Sequence, residues 1–384
     1  MSVTAAKGFT AAGIAAGIKQ NGNPDLALVV NDGPSRAAAG VFTSNRVKAA
    51  PVQWSQQVVA SGRVSAVVLN SGGANACTGP RGHQDTHATA TTASGVLEGV
   101  PADEIAIAST GLIGVHLPMD KLLPGIEQAA AQLSAHGGEQ AAIAIKTTDT
   151  VHKTSVVTKD GWTVGGMAKG AGMLAPSLAT MLVVLTTDAD VTAPRLDAAL
   201  REATRLTFDR IDSDGCMSTN DTVLLLASGA SGIVPDEADF TEAVRVLCDD
   251  LARQLIGDAE GASKDIRIEV VNAESEADAV EVGRTIARNN LLKCAIHGED
   301  PNWGRVLSAI GTTSAAFDPD RLSVAINDVW VCRDGSIGED RTKVDMTGYE
   351  TLITADLAAG SASAVIWTND LTAEYVHENS EYSS

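Results

Sequence analysis

Short apolar runs recur along this chain of 384 residues, and each run is bounded by glycine, asparagine or aspartate. Runs of this length with such boundaries are typical of buried β-strands. We expect strands at 26–30, 65–69, 105–109, 181–187, 222–227, 266–271, 323–325 and 364–367. Segments with helical spacing of apolar residues lie between them. The mixed order predicts an α/β or α+β fold, and it leaves the order of strands in the sheets open.

Three helices are marked by their first residues. The stretch 194–206 carries one apolar stripe and has a proline in its first turn, as helix starts favour. A second helix is expected to begin at Asp239, which would form a capping box with Glu242. A third is expected over 275–289.

Composition and charge exclude several classes of protein. The chain has 28 basic and 48 acidic residues, a formal net charge of −20, and no run of basic residues. Binding to nucleic acid depends on neutralising phosphates with basic side chains, so we expect no nucleic-acid partner. Hydrophobic residues make up 44 % of the chain and aromatic residues 3 %, which predicts an aliphatic core. The length predicts two domains or lobes.

The cysteines and the hydropathy pattern bear on the compartment. Five cysteines are widely spaced without a CxxC pair, and no apolar stretch reaches the length of a membrane span. The first 21 residues lack the basic and then uninterrupted apolar regions of a secretory signal. We therefore expect a cytoplasmic protein without a membrane partner.

The stretch 165–190 departs most from ordinary local patterns. It opens with glycines and alanines around Lys169, passes Pro176 and becomes a continuous apolar run from Met181. We interpret it as a long flexible loop that delivers the Thr180 hydroxyl to the start of a strand buried on both faces. Most threonines next to apolar runs are ordinary strand residues, so Thr180 could equally be an ordinary strand residue at this point.

Two nucleotide-binding motifs match this stretch poorly. Gly170 follows Lys169 where a P-loop needs serine or threonine. Gly170, Gly172 and Ala175 fit the GxGxxA pattern of a dinucleotide site, but that pattern needs a helix which Pro176 and the following strand disfavour. A dinucleotide-binding oxidoreductase is kept as a minor alternative.

Histidines give no metal or catalytic motif. His83 and His87 have the spacing of a zinc-binding helix, but Gln84 replaces the general-base glutamate and no third ligand is evident. We expect them on a solvated helix face, and we expect no metal site. The remaining histidines cluster with nothing in the sequence, so we do not expect a histidine base: His116, His136, His152, His297 and His377.

Three further segments are richer in polar residues than turns require: 70–79, 109–114 and 297–305. Polar loops at strand ends are where sites are commonly built. Adjacent Thr110 and Gly111 offer a hydroxyl and a backbone N–H to a developing oxyanion.

Seven segments taken together resemble, in order, the motifs of bacterial ornithine acetyltransferases, and the resemblance reaches the last residue. They are NSGGANACTG (70–79), STGLIG (109–114), TTDT (147–150), AKGAGMLAPSLATMLVVLTTDA (168–189), GDAEGASK (257–264), GEDPNWGR (298–305) and HENSEYSS (377–384). The resemblance implies a two-lobed fold and glutamate N-acetyltransferase activity in arginine biosynthesis. Acetyl would pass from N2-acetylornithine to glutamate without a cofactor, and acetyl-CoA stays open as a second donor.

Carried over residue by residue, the resemblance makes Thr180 the nucleophile. In the family the nucleophile is exposed by self-cleavage, which here would cut the Ala179–Thr180 bond within one folded unit. The products would be an α chain, 1–179, and a β chain, 180–384, which stay associated and assemble two of each. The freed α-amine has an ordinary pKa of about 7.7–8.0, so it is suited to act as the general base for its own hydroxyl.

The resemblance also assigns the other site positions. Thr110 and Gly111 correspond to the oxyanion-stabilising pair. The substrate-binding positions are Thr147, Lys169, Thr180, Glu260, Asn379 and Ser384. Lys169 suits an α-carboxylate and Glu260 suits the ornithine ammonium group.

Three residues depart from the family pattern, and two further alternatives remain. Gly73 stands where asparagine is usual, Lys146 stands where methionine is common, and Ser384 stands where threonine is commoner but keeps the hydroxyl. The alternatives are an amidase or aminopeptidase that uses the same nucleophile with water as acceptor, and a paralogue that serves a secondary pathway with the same chemistry.

Overall fold

The computed structural model describes residues 2–174 and 181–381. The chain forms two compact units. The described residues of the first unit are 2–174, 181–209 and 216–258, and those of the second unit are 210–215 and 259–381.

The first unit contains two β-sheets and six α-helices among its described residues. Its elements in chain order are β1 (Phe9–Ile14), β2 (Leu26–Asn31), β3 (Ala38–Phe42), α1 (Ala50–Val59), β4 (Ala66–Ser71), α2 (Gly79–Val96), β5 (Ile105–Thr110), α3 (Met119–Ala131), α4 (Gly138–Ala144), β6 (Lys153–Lys159), β7 (Trp162–Lys169), β8 (Leu182–Thr187), α5 (Ala193–Leu206), β9 (Thr222–Ala227) and α6 (Glu237–Ile256). The four-stranded sheet has the order β1-β2-β4-β5, and the five-stranded sheet has the order β3-β9-β8-β7-β6.

These elements stack as four layers. Alternate residues of a strand point to opposite faces, and Val29 and Leu28 of β2 accordingly enter different cores. Val29 packs with Val184 of β8 and the alanines of α4 between the two sheets. Leu28 packs with Ile126 of α3 on the outer face of the four-stranded sheet, which α2 also covers. Helices α5 and α6 pack on the five-stranded sheet, so the layer order is helix, sheet, sheet, helix.

The glycine-rich opening of the stretch 165–190 is a strand, so the expected loop starting at 165 is wrong. Gly165 and Gly166 lie in β7 and pair with Thr186 and Leu185 of β8. A Cβ atom at Gly165 would lie 2.4 Å from the Ser2 carbonyl oxygen. One at Gly166 would lie 2.9 Å from a Leu185 methyl carbon. Close packing against these neighbours, and not flexibility, explains these glycines.

The second unit contains one six-stranded sheet. Its elements in chain order are β10 (Asp265–Ala273), α7 (Glu276–Ala287), α8 (Asn290–His297), α9 (Trp303–Ile310), β11 (Ser323–Ile326), β12 (Val329–Arg333), β13 (Ser336–Ile337), β14 (Glu350–Asp356), β15 (Ala362–Asn369) and α10 (Ala373–Glu381). The strand order is β13-β12-β11-β14-β10-β15, with β10 and β14 parallel. Helix α7 packs on β10 and β15, and its Val282 and Ile286 join Ile268 and Ile366 in one hydrophobic core.

The mixed α/β prediction is confirmed, and each of the eight expected strands is present. The expected helices at 194–206 and 275–289 are also present, and Ser275 caps α7 by accepting the Asp278 N–H at 3.1 Å. The expected capping box is wrong because the N-cap of α6 is Asp236, three residues before Asp239. Asp236 accepts the first N–H groups of that helix, and the Asp239 carboxylate instead pairs with Lys159 at 2.6 Å.

Helix α2 carries His83 and His87, and both side chains are exposed, as predicted for a solvated face. Within 2–174 and 181–381, no helix is both long and apolar enough to cross a membrane.

Candidate active site

Two of the predicted site residues meet in the first unit. Thr110 is the last residue of β5 and Lys169 the last residue of β7, so each side chain stands where a strand ends. The Lys169 Nζ donates a hydrogen bond to Thr110 Oγ1 at 3.3 Å. Lys169 is 2 % exposed and Thr110 is 1 % exposed. A buried ammonium group therefore lies beside the hydroxyl that the sequence assigns to the oxyanion.

Gly111 occupies a position that only glycine fits. Its φ angle is +126°, and a Cβ atom there would lie 2.6 Å from the Gly73 nitrogen. The Thr110 carbonyl oxygen accepts the N–H groups of Gly72 at 2.9 Å and Gly73 at 3.0 Å. The polar loops 70–79 and 109–114 are thus one hydrogen-bonded structure, and their backbones approach closely because no side chain intervenes.

Buried amide side chains fix these two loops. The Asn70 Nδ2 donates to the Gly73 carbonyl at 2.9 Å, and Ser109 Oγ donates to Asn70 Oδ1 at 2.6 Å. The Asn220 Nδ2 donates to the carbonyls of Ala74 at 2.6 Å and Ser109 at 2.8 Å. Sequence reasoning missed Asn220. The polar run 218–221 directly before a buried strand is the signal that it left unused.

Asp221 is a second buried residue that the sequence analysis missed. It precedes β9, is 0 % exposed, and its Oδ1 accepts the N–H of Met181 at 3.1 Å. Burial raises the pKa of its carboxyl well above the ordinary range, against the lowering effect of the Met181 N–H. Met181 directly follows Thr180 in the sequence. Asp221 therefore fixes the first described residue after the expected cleavage point.

Asp149, within the TTDT motif, connects Thr147 to the end of β7. Its Oδ2 accepts the Thr147 N–H at 3.0 Å, while its Oδ1 accepts the Gly170 N–H at 2.6 Å and the Lys153 Nζ at 2.7 Å. Burial raises the pKa of this carboxyl, but the charges of Lys169 and Lys153 and these hydrogen bonds outweigh it and lower the pKa to about 2. Asp149 is thus an ionised anchor beside two predicted substrate-binding residues.

Lys153 completes a buried ion-pair cluster with Asp149 and Asp258. Its Nζ lies 2.7 Å from the Asp149 Oδ1 and 2.5 Å from the Asp258 Oδ2. Thr150 donates its backbone N–H to the same Asp258 carboxylate at 3.1 Å. Buried charges need such compensation, and here it holds the segment 147–153 against α6 and the residues that follow it.

Two further predicted residues meet in the second unit. The Asn379 Nδ2 of α10 donates to Glu260 Oε2 at 3.0 Å. The loop 257–264 is held to this helix because Thr372 Oγ1 donates to the Gly261 carbonyl at 2.6 Å. A Cβ atom at Gly261, whose φ is +61°, would lie 2.2 Å from the Tyr375 nitrogen. The close packing makes glycine necessary there.

Glu260 lines a polar cleft of about 330 Å³ in the second unit. Asp214 and Asp370 add carboxylates to the lining, and Arg288 and Lys293 add cations. Burial lowers the pKa of the Lys293 ammonium group, although neighbouring carboxylates oppose this. A cleft lined by charges of both signs suits a small charged ligand.

The expectation that His297 clusters with nothing is wrong. Its Nδ1 lies 2.9 Å from the Asp370 Oδ2 and 3.1 Å from the Ser263 Oγ. Asp370 and Ser263 both contact the Nδ1 nitrogen of the ring, whereas a Ser-His-Asp relay needs the serine at one ring nitrogen and the aspartate at the other. Asp370 also accepts the N–H groups of Ser263 at 2.9 Å and Lys264 at 3.0 Å. The cluster therefore fixes the loop that carries Glu260.

Some predicted positions lie outside the described residues. These are Ala179 and Thr180, which the cleavage prediction needs, and Ser384, the last substrate-binding position. Ala175 and Pro176 of the dinucleotide alternative also lie there. The described parts of that stretch, 165–174 and 181–187, are strand and bends without the helix which that alternative requires.

Two of the departures from the family pattern lie in the described residues. A Cβ atom at Gly73 would lie 2.8 Å from a Leu117 methyl carbon, so the larger side chain requires Leu117 to move. Lys146 donates from its Nζ to the Thr150 carbonyl at 3.0 Å, which places its charge beside the TTDT motif.

Comparison with known proteins agrees with the resemblance. The ArgJ family profile matches residues 10–384. The arginine biosynthesis bifunctional protein ArgJ of Streptomyces coelicolor is 78 % identical over 384 residues, and that of Thermobifida fusca is 63 % identical over 384 residues. Both matches cover 100 % of each chain.

A solved structure is also similar in sequence. It is ornithine acetyltransferase complexed with ornithine from Mycobacterium tuberculosis, which is 57 % identical, with 47 % of this chain and 96 % of that chain covered and a TM-score of 0.46. The family profile spans nearly the whole chain and the bacterial relatives match over their full length. The chain therefore belongs to the ArgJ family and is an acyltransferase of arginine biosynthesis.

Proposed function

We propose that the chain is a glutamate N-acetyltransferase that moves acetyl from N2-acetyl-L-ornithine to L-glutamate through an acetyl-threonine ester on Thr180. The observation that carries the proposal is the buried contact of Lys169 Nζ with Thr110 Oγ1 at 3.3 Å. It joins a cation suited to an amino-acid carboxylate with a hydroxyl suited to an oxyanion. The threonine nucleophile of the proposal, Thr180, is the one that the resemblance of 168–189 to the family motif implies.

Maturation would proceed by attack of the Thr180 hydroxyl oxygen on the Ala179 carbonyl carbon. The peptide C–N bond breaks, an ester forms, and water then resolves the ester into the Ala179 carboxylate and the Thr180 α-amine. The α chain is then 1–179 and the β chain 180–384. Strand β7 precedes this point and β8 follows it, and the two strands pair from Val164 with Thr187 to Lys169 with Leu182. The ladder would hold both chains together after the cut.

Acetyl transfer would use the new α-amine as general base. It takes the proton of the Thr180 hydroxyl while Oγ attacks the acetyl carbonyl carbon. Thr110 and Gly111 stabilise the oxyanion, the amide C–N bond breaks, and the proton passes to the departing nitrogen of ornithine. The α-amine of glutamate then attacks the acetyl ester, which restores the Thr180 hydroxyl and releases N-acetylglutamate.

Substrate charges match the predicted binding residues. Lys169 would bind the α-carboxylate, and the Glu260 carboxylate, held by Asn379 at 3.0 Å, would bind the ornithine ammonium group. Thr147 and Ser384 complete the proposed substrate-binding set. The chemistry needs no cofactor. Acetyl-CoA would enter as a second donor because it leads to the same acetyl-threonine ester.

We also propose that two α and two β chains form the working assembly and that it acts in the cytoplasm. All five cysteines are free thiols, which suits a reducing compartment. Light scattering after size-exclusion chromatography tests the assembly. A mass of about twice 39.4 kDa is expected, and a mass near 39.4 kDa would contradict it.

Denaturing mass spectrometry combined with acetyl-transfer assays tests the proposed activity. The wild type should give two fragments that meet at Ala179 and Thr180, and Thr180→Ala should give one intact, inactive chain. Thr158→Ala is a matched control, since Thr158 is exposed and lies in β6. It should cleave and turn over normally.

N-acetylglutamate formation is measured from glutamate with acetylornithine and, separately, with acetyl-CoA. An uncut wild type that still transfers acetyl would rule out the N-terminal threonine mechanism. Acetate release that glutamate does not suppress would favour the hydrolase alternative.

A further inference from the structure

Lys19 places an ammonium group next to the TTDT segment. Its Nζ donates to the carbonyl oxygens of Pro24 at 3.1 Å and Lys146 at 2.6 Å. The backbone around it is fixed because Asp25 accepts the N–H groups of Ala16 at 2.7 Å and Lys19 at 2.8 Å. An ammonium group has three N–H donors. The third donor of Lys19 has no acceptor among the residues that the structure describes.

Charged groups of both signs surround Lys19. Lys169 and Lys146 are close enough to influence it, and so are the carboxylates of Asp25 and Asp149. Both Asp25 oxygens already accept backbone N–H groups, and Asp149 is paired with Lys153. Burial lowers the pKa of Lys19 to about 8; the charges of Lys169 and Lys146 act in the same direction, and those of Asp25 and Asp149 oppose it. A bound anion would relieve this unfavourable environment.

The two proposed substrates differ in the charge of their side chains. Both have an α-carboxylate, but glutamate carries a second carboxylate where ornithine carries an ammonium group. A single cation, Lys169, would bind the α-carboxylate that both substrates share. The side-chain carboxylate of glutamate would then still lack a cation. Lys19 supplies an anchored cation with a spare donor in the same unit as Lys169 and Thr147.

We propose that Lys19, held by the carbonyls of Pro24 and Lys146, binds the side-chain carboxylate of the glutamate acceptor and so determines acceptor specificity. This inference rests on the proposed function. It assigns Lys19 a role in the second half of the reaction only, because the donor acetylornithine has no side-chain carboxylate.

The test uses the full-length, self-cleaved enzyme with Lys19→Met. Exchange of labelled ornithine into acetylornithine without glutamate measures the donor half-reaction. N-acetylglutamate formation at varied glutamate concentration measures the acceptor half-reaction. The variant should raise KM for glutamate about ten- to hundred-fold, the range for losing a hydrogen bond to a charged group. The exchange rate should stay within about twofold of the wild type.

Lys7→Met is the matched control. Lys7 is an exposed lysine of the same unit. Its substitution removes one positive charge at another place in the unit and should leave KM for glutamate unchanged. Glutamine, which has an amide in place of the side-chain carboxylate, is the matched acceptor. The preference of the wild type for glutamate over glutamine should fall in Lys19→Met by the same factor as KM rises.

Each outcome decides the inference. A glutamate KM within twofold of the wild type overturns it, and so does a parallel fall in ornithine exchange, which would indicate a general effect on the site. A wild type that makes no N-acetylglutamate contradicts the proposed function instead. If Lys19→Met does not fold, the wild type is assayed from pH 7 to 9. Deprotonation of Lys19 should then lower the ratio of glutamate to glutamine turnover, whereas titration of the nucleophile affects both acceptors equally.

Discussion

Asp149→Asn is the most informative single change in the first unit. Asp149 accepts three hydrogen bonds, from Thr147 N–H, Gly170 N–H and Lys153 Nζ, at 3.0, 2.6 and 2.7 Å. Asparagine keeps the shape, but its amide has only one acceptor oxygen, so its NH₂ group must face one of these donors. The substitution removes the buried negative charge that pairs with Lys153, and it leaves one of the three hydrogen-bond donors without an acceptor.

Two estimates give the size of the effect. The carboxyl pKa falls from 3.8 to about 2 in the folded chain, which corresponds to about 2 kcal/mol of stability. Breaking a buried ion pair by removing one partner typically costs about 3–5 kcal/mol. We expect a loss of about 3 kcal/mol, which lowers Tm by about 6–12 °C for a unit of this size. Because the folded pKa is the lower one, this stabilisation is complete above pH 3.8 and is lost as the pH falls toward 2.

Differential scanning calorimetry and steady-state kinetics check this prediction. The Tm difference between wild type and Asp149→Asn should be constant from pH 5 to 8 and should narrow between pH 4 and 2. The kcat/KM for acetyl transfer should fall at least tenfold because Thr147 and Gly170 lose their shared anchor. Asp250→Asn, an exposed change on α6, should stay within about 2 °C of the wild type. A Tm within about 2 °C together with normal kcat/KM in Asp149→Asn would refute the anchoring role.

Two other changes test the loops at the strand ends. Gly111→Ala should lower kcat at least tenfold with little change in KM. The reason is that a Cβ atom would lie 2.6 Å from the Gly73 nitrogen and would displace the backbone N–H of residue 111, which is proposed to stabilise the oxyanion. A normal kcat would show that this N–H does not stabilise the oxyanion. Asp221→Asn should be at least as stable as the wild type at pH 8, because burial raises the pKa of the carboxyl in the folded chain. The wild type therefore loses stability as the pH rises from the ordinary aspartate pKa toward the raised one. The advantage should shrink as the pH falls toward 4, and a variant that melts well below the wild type at pH 8 would show that Asp221 is ionised in the folded chain.

Eight of the fifteen described strands were predictable from the sequence, because continuous apolar runs leave few other ways to bury them. The run 222–227 coincides with β9, from Thr222 to Ala227. Strand β7 escaped prediction because glycine has low strand propensity. Gly165 and Gly166 are there because Ser2 and Leu185 leave no space for a side chain, and those neighbours are set by tertiary packing.

The predicted site residues were recovered only as separate pairs, and their supports were not predicted at all. Asn220 reaches the Ser109 carbonyl across 111 positions of sequence, and Lys153 reaches Asp258 across 105. Local patterns carry no information about partners at such separations. A polar residue before a buried strand is visible in the sequence, but the group that it binds is decided by how the two sheets pack.

The expected cleavage segment has an independent anchor on each side. On its N-terminal side, Asp149 accepts the Gly170 N–H at 2.6 Å, and on its C-terminal side, Asp221 accepts the Met181 N–H at 3.1 Å. The first carboxylate is ionised because cations surround it, and burial favours the neutral form of the second. Neither anchor is covalently affected by a cut between Ala179 and Thr180. Gly170 and Met181 would therefore keep these two hydrogen bonds after a cut between them.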